Sequence, residues 1–105
     1  MIDIDEVIQL LRKPTELKYH RWDLFEFDSA NKLVGCCSLG KLALEKGYKP
    51  DPDDDTNTIS SDVITLLSGQ GLGLNKRWEI SDYNDVTCSS FADVALALET
   101  FPTEG

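Results

Sequence analysis

Residues 17–37, LKYHRWDLFEFDSANKLVGCC, set the hardest constraint on how this chain folds. The stretch is rich in aromatic and branched residues and is broken by the turn formers of DSANK, which predicts two strands near 18–27 and 32–36 paired as a β-hairpin. Alternation puts Phe25 and Phe27 on one face and His20, Trp22 and Leu24 on the other. Both faces therefore carry apolar groups. A lone hairpin is marginal in water, so this one must be covered by helices.

The helices are legible from their stripes. In DIDEVIQLLRK, Ile4, Val7, Ile8 and Leu11 recur at helical spacing, Asp3 with Glu6 forms a capping-box pattern, and Pro14 ends the segment, giving a helix over 3–12. A second helix is expected over 37–46, with Gly47 as a left-handed cap; Gly40 inside it implies close approach to another backbone. A third is expected over 60–68, with Val63, Ile64 and Leu67 on its core face and a Thr or Ser of 58–61 as cap. A fourth is expected after Ser90, with Phe91, Val94, Ala95, Leu98 and Phe101 on one stripe. Residues 49–58 read as an acidic loop, residues 68–76 as a flexible glycine-rich connection, and WEIS as a short extended piece. At 105 residues the expectation is one α+β domain, about four short helices packed around one β-hairpin.

The charge balance excludes functions before any motif is weighed. Ten basic residues stand against nineteen acidic ones, a net of −9. Such a chain repels phosphate backbones and anionic lipid, so neither direct nucleic-acid binding nor membrane binding is expected. A protein partner with a basic surface fits better. The loop carrying Asp51, Asp53, Asp54 and Asp55 is the expected contact. No apolar run is long enough to span a bilayer, and the first residues, MIDIDEVIQLL, are acidic before they are apolar, which is wrong for a secretory signal. A cytoplasmic protein is expected.

Each candidate site has a plainer reading. In SDYNDVTCSSFADV, Ser90 is placed to cap the last helix and Asp93 to reach back, while Asn84 and Asp85 suit an Asx turn. The catalytic alternative makes Cys37 or Cys88 a nucleophile with His20 as base and, for Cys88, Asn84 or Asp85 as orienter. Nothing in sequence fixes the single histidine near a cysteine, so capping is preferred. Asp51, Asp53, Asp55 and Asp62 fall at positions of a calcium loop, but Thr56 replaces the turn glycine and Pro50 cuts the preceding helix. Cys36, Cys37 and Cys88 make an odd count, two of them adjacent, which suits reduced, packed thiols rather than disulfides or zinc. The glycines of SGQGLGL follow a helix and lack the strand-to-helix setting of a phosphate cradle. Trp22 and Trp78 are expected in the core or at its rim. No cofactor is expected.

Two patches resemble an uncharacterised family of small bacterial and phage proteins, a domain of unknown function. CSLGKLALEKG, from Cys37 to Gly47, is similar to the family's Cys-x-x-Gly-x-Leu helix start. ISDYNDVTCSSFADVALAL is similar to its Trp-Asn-Asp motif followed by Thr-x-x-Glu-Val, with Tyr83, Asn84 and Asp85, then Ser90, Asp93 and Val94, at the matching positions. Cys88 and Ser89 stand where family members often carry Gly-Arg. The resemblance implies an α+β fold with Cys37, Asn84 and Asp85 as structurally meaningful positions, and a phage or mobile-element origin. Together with the charge it leads to the expectation of an acidic inhibitor or modulator that occupies a basic surface of a host restriction or RNA-guided defence protein. The alternatives are a small cysteine-dependent hydrolase and an assembly homodimer joined through the Phe25/Phe27 face.

Overall fold

The structure, a computed structural model, describes residues 2–100. Five α-helices and three short strands follow in the order α1 (Ile4–Arg12), β1 (Lys18–Tyr19), β2 (Phe25–Phe27), β3 (Leu33–Cys36), α2 (Ser38–Glu45), α3 (Thr56–Gly69), α4 (Leu74–Asp82), a π-helical turn (Tyr83–Thr87) and α5 (Phe91–Thr100). The α+β class is as expected, with five helices in place of four.

The centre of the molecule is α2. It touches α1, α3, α4 and β3, and Ser38, Gly40, Lys41, Leu42 and Ala43 are all buried. The foreseen close approach at Gly40 is there: a Cβ at this position would lie 2.4 Å from the Leu24 carbonyl oxygen. On one side of α2, α1 lies against α5 and brings Val7, Ile8 and Leu11 to Val94, Ala95 and Leu98 in one core cluster. On the other side stand α3 and α4, which add Ile59, Val63, Leu67 and Ile80.

The hairpin expectation holds in part. β2 and β3 pair antiparallel across the DSANK turn, where the Asp28 carboxylate accepts from the backbone N–H groups of Ala30 and Lys32, both at 2.9 Å. The expected strand 18–27 is broken in two. Its first part, β1, pairs parallel to β3 on the opposite edge, so the sheet order is β1-β3-β2. The chain leaves the sheet after His20, turns through Trp22 with φ +74, and returns on the far side of β3. This crossing ends the alternation that would have put His20, Trp22 and Leu24 on one face.

The second half also departs from the sequence reading. α3 begins at Thr56, because Asp55 is its cap: the carboxylate accepts from Thr58 N at 2.7 Å. The acidic loop is shorter for that reason. Where a flexible connection was expected at 68–76, Gly71 (φ +90) closes α3 with Gly71 N donating to Ser68 O and Leu72 N to Leu67 O, at 3.0 and 2.9 Å. This is a Schellman closure, and it buries Leu72. WEIS is helical, inside α4, rather than extended. The same closure ends α2 at Gly47 (φ +94).

Other caps fall as follows. Asp3 accepts from Glu6 N at 2.8 Å. The Glu6 carboxylate does not reach back to Asp3 but pairs with Lys46 on α2. Ser90 Oγ accepts from Asp93 N at 3.1 Å, and the Asp93 carboxylate accepts from Ser89 N at 3.3 Å. Phe101, assigned to the last helical stripe, lies outside the described residues.

Lys41 was not singled out in sequence, and it is only 2% exposed. Its ammonium donates to the carbonyls of Leu10, Leu11 (3.2 Å) and Lys13 (2.7 Å) at the end of α1, the first of which also accepts from Lys13 N, and lies 5.4 Å from the centroid of the Phe91 ring. A cation at a helix C-terminus meets both unpaired carbonyls and the negative end of the dipole. Lys41→Met keeps the length and apolar stem of the side chain but strands the carbonyls of Leu11 and Lys13. It is expected to lower unfolding free energy by about 2–3 kcal/mol, read as a reduced urea midpoint with an unchanged denaturant slope.

Candidate functional site

The segment after β1 is fastened to the π-helical turn by an unusually dense set of contacts. Tyr19 Oη donates to Asn84 O. Arg21 donates from Nη2 to Cys88 O at 2.7 Å and to Ser89 Oγ at 3.3 Å. Trp22 N donates to Asp85 Oδ1 at 2.9 Å. At the centre sits Asn84, 1% exposed. Its Oδ1 accepts from Ser38 N and Ser38 Oγ at 2.9 and 2.8 Å, and its Nδ2 donates to His20 O at 2.9 Å and Asp85 Oδ1 at 2.8 Å. Asn84 and Asp85 thus do not form the expected Asx turn. They join three segments distant in sequence: the strap 20–22, the start of α2, and the π-helical turn.

That network shapes one wall of an apolar groove. Trp22, Leu24, Cys37, Leu39, Ile64 and Asp85 line a lobe of about 180 Å³. A second lobe of about 300 Å³ continues from Leu39 and Ile64 to Leu74, Arg77, Trp78 and Ser81. Both tryptophans are exposed, Trp22 by 74% and Trp78 by 63%, and with them Leu74 by 59% and Ile64 by 47%. Of the two places expected for the tryptophans, the core or its rim, neither residue takes the core. The helical stripe of Ile64 is split: Val63 and Leu67 are buried, while Ile64 faces the groove. Arg77 lines both lobes, and its Nη1 is committed to Ser68 Oγ and Leu72 O, each at 2.6 Å. Drug-sized ligands generally need cavities of about 300–1,000 Å³ that enclose most of their surface. The two joined lobes reach that volume as shallow depressions open to solvent.

The acidic loop lies elsewhere, near Tyr48, whose hydroxyl pKa is raised first by burial and then by Asp62, Asp54 and Asp51. Tyr48 in turn stacks on Phe25 at 5.7 Å between centroids, so Phe25 is half-covered within its own chain. Asp55 is occupied as a helix cap, which holds its carboxyl below the usual range. Asp51 accepts from Asp53 N at 2.9 Å. The Asp54 carboxyl is held above the usual range by local desolvation and the surrounding carboxylates. Among the described residues no group of three or more His, Cys, Asp or Glu side chains is arranged to hold a metal ion, and no helix is long and apolar enough to cross a membrane.

The three thiols are buried and free. Burial pushes Cys36 up to about 12 and Cys37 up to about 11, and raises Cys88 as well. Cys37 Sγ caps α2 by accepting from Gly40 N at 3.4 Å. His20 Nε2 abuts the Glu26 carboxylate across the central strand at Gly35. A thiol with a raised pKa holds its proton at neutral pH and is a weak nucleophile.

Set beside known proteins, the chain matches no family model, no curated protein and no solved structure. The likeness of its two patches to the phage and bacterial family rests on those motifs alone.

Two measurements follow. Asn84→Ala leaves Ser38 N, Ser38 Oγ and His20 O without their partner, so it is expected to cost about 3 kcal/mol in urea unfolding. It should also shift tryptophan emission as Trp22 loses its setting. The second concerns pH. Unfolded thiols deprotonate near 9.0, whereas folded Cys36 and Cys37 hold their protons to about 12 and 11. Burial likewise raises Tyr19 from 10.0 to about 12. Through this window the native state binds more protons than the unfolded one, so stability must fall as pH rises. Cys88, Tyr48 and Tyr83, also raised by burial, act in the same sense, and Lys41, whose pKa burial lowers, opposes them, one group against six. Urea midpoints should therefore drop from pH 9 upward, and Cys36→Ala should flatten the decline.

Proposed function

We propose that this chain is a binding module that docks on a basic surface of another protein, of the kind that ordinarily holds nucleic acid. It would thereby act as an inhibitor or modulator of a host nucleic-acid-handling system such as a restriction or RNA-guided defence complex. The observation that carries the reading is the groove rimmed by two exposed tryptophans on a chain of net charge −9. Contiguous exposed apolar surface edged by polar groups marks interaction sites, and tryptophan is the residue most enriched among those that dominate binding energy. Acidic charge around such a patch speeds encounter with a cationic partner and repels anionic ones. The Asp51–Asp55 loop adds a second negative region, in which Asp53 and Asp54 are exposed.

The test is capture from a nuclease-treated bacterial lysate at low and high salt. It compares the wild-type chain with a variant carrying Asn at 51, 53, 54 and 55. Asparagine caps helices as well as aspartate, so α3 is retained. The expected result is a captured protein whose binding to nucleic acid is blocked by the wild-type chain, and whose affinity for the variant is roughly tenfold lower, about 1.4 kcal/mol. A captured protein that keeps its nucleic acid, or that binds the variant equally, would falsify the reading.

A further inference from the structure

We infer that the groove between Trp22 and Trp78 is the docking cleft for a cationic, amphipathic segment of a partner protein. In this account Trp22 is an anchor displayed by Asp85. The inference rests on the binding-module reading and deepens it by naming the contact face and the chemistry of its occupant.

The first observation is conformational. Trp22 has φ +74, a region that bulky L-residues rarely enter and that costs roughly 1–3 kcal/mol. Such strain persists only where surrounding contacts over-determine it. Here Asp85 takes the Trp22 N–H, Asn84 takes the His20 carbonyl, and Arg21 is bound to Cys88 and Ser89. The outcome is an indole held out in solvent at the mouth of a lobe, a position that folding alone would not favour. The second observation is the far rim. Trp78 and Leu74 project from α4, a helix whose described core contribution is the single residue Ile80, so its outer face is left apolar and uncovered.

Charge decides the occupant. Asp85 lines the first lobe. Asp23 follows Trp22 in the chain, and Asp82 lies one helical turn beyond Trp78; both are exposed. Arg77 also lines the groove; its Nη1 is held by the neutral acceptors Ser68 and Leu72, and its single charge is outnumbered by the carboxylates of Asp85, Asp23 and Asp82. Indole faces attract ammonium and guanidinium groups, and flanking carboxylates reinforce that preference. A second copy of this chain would bring −9 against −9. The segment that fits therefore carries apolar side chains for the two lobes, with arginine or lysine beside them.

The chain holds two tryptophans, and both are on the rim, so intrinsic fluorescence reports the site directly. The probes are an amphipathic peptide of leucine and arginine and its leucine–glutamate counterpart, neither containing tryptophan. They are titrated into the full chain and into Trp22→Phe and Trp78→Phe, each of which isolates one indole. The arginine peptide is expected to shift emission to the blue in both single-tryptophan variants and to protect them from acrylamide. The glutamate peptide should do neither. Asp85→Asn, which keeps an acceptor for Trp22 N, is expected to weaken the arginine peptide a few-fold at low salt. Asp85→Ala, which also releases the strap, should weaken it about tenfold while circular dichroism stays unchanged. The Asp51–Asp55 asparagine variant should still give the shift. Peptide binding seen by anisotropy without change in either indole, an equal response to the glutamate peptide, or a concentration-dependent blue shift with dimerisation and no peptide would each overturn the inference. None of these outcomes touches the lysate test, and a lysate failure leaves the indole response intact, so the two readings fail separately.

Discussion

The buried amide of Asn84 is the contact on which the half of the molecule that carries the groove depends. An uncharged side chain with two acceptor lone pairs and two donors meets Ser38, His20 and Asp85 at once. Each is a group that would otherwise be buried without a partner or be drawn out to water. Within a low-dielectric interior a fully satisfied network of this kind is rigid, and a partly satisfied one is costly. Its geometry fixes where the strap 20–22 crosses, and therefore why the expected long strand becomes two short ones on opposite edges of β3. The π-helical turn is part of the same solution. One extra residue per turn at 83–87 re-aims Asn84 inward, and such local widenings are frequent at functional positions.

Lys41 does for the other half what Asn84 does for the first. An ammonium is costly to bury alone, and here it is spread over three carbonyls at the end of α1 and the face of Phe91. Pro14 ends α1 from one side by removing a donor; Lys41 completes the end from the other by supplying one. The helix thereby gains a termination that is also a tertiary contact, which locks α1 to α2 and, through Phe91, to α5.

Much of the helical framework was legible because it rests on local rules. The stripe of α1, the stop at Pro14, the closure at Gly47, the cap at Ser90 and the tight approach at Gly40 are each decided within a few residues or by the absence of a side chain. The misreadings share a different cause. The glycines at 69–73 read as flexibility because Gly71 alone does not reveal that Leu72 is buried beyond it. WEIS read as extended because its one buried residue, Ile80, leaves no stripe to detect. The break at Trp22 comes from Asp85, sixty-three positions away, and Lys41 from carbonyls twenty-eight to thirty-one positions away. Long-range satisfaction of polar groups leaves no periodic trace in a sequence. Sequence left the tryptophans between core and rim for a related reason: burial is the common fate of an indole, and only the strained strap and the outward face of α4 turn both outward.

The groove and the core share α2, and this is what makes the groove a formed surface. Lys41, Leu42 and Ala43 face inward while Leu39, one turn earlier on the same helix, forms the floor where the two lobes meet. Cys37 caps that helix with its sulfur and also lines the first lobe. The floor therefore cannot shift without disturbing the most buried element of the fold. On the rim, Trp22 N donates to Asp85, whose carboxylate also accepts from Asn84, and Asn84 in turn accepts from Ser38 at the start of α2. A face built this way has met its ordering cost during folding, so little conformational freedom is left to lose when a partner arrives. In a chain of this size such rigidity holds two exposed indoles and a few carboxylates in fixed places, as the proposed recognition surface requires, rather than as a patch that collapses on itself.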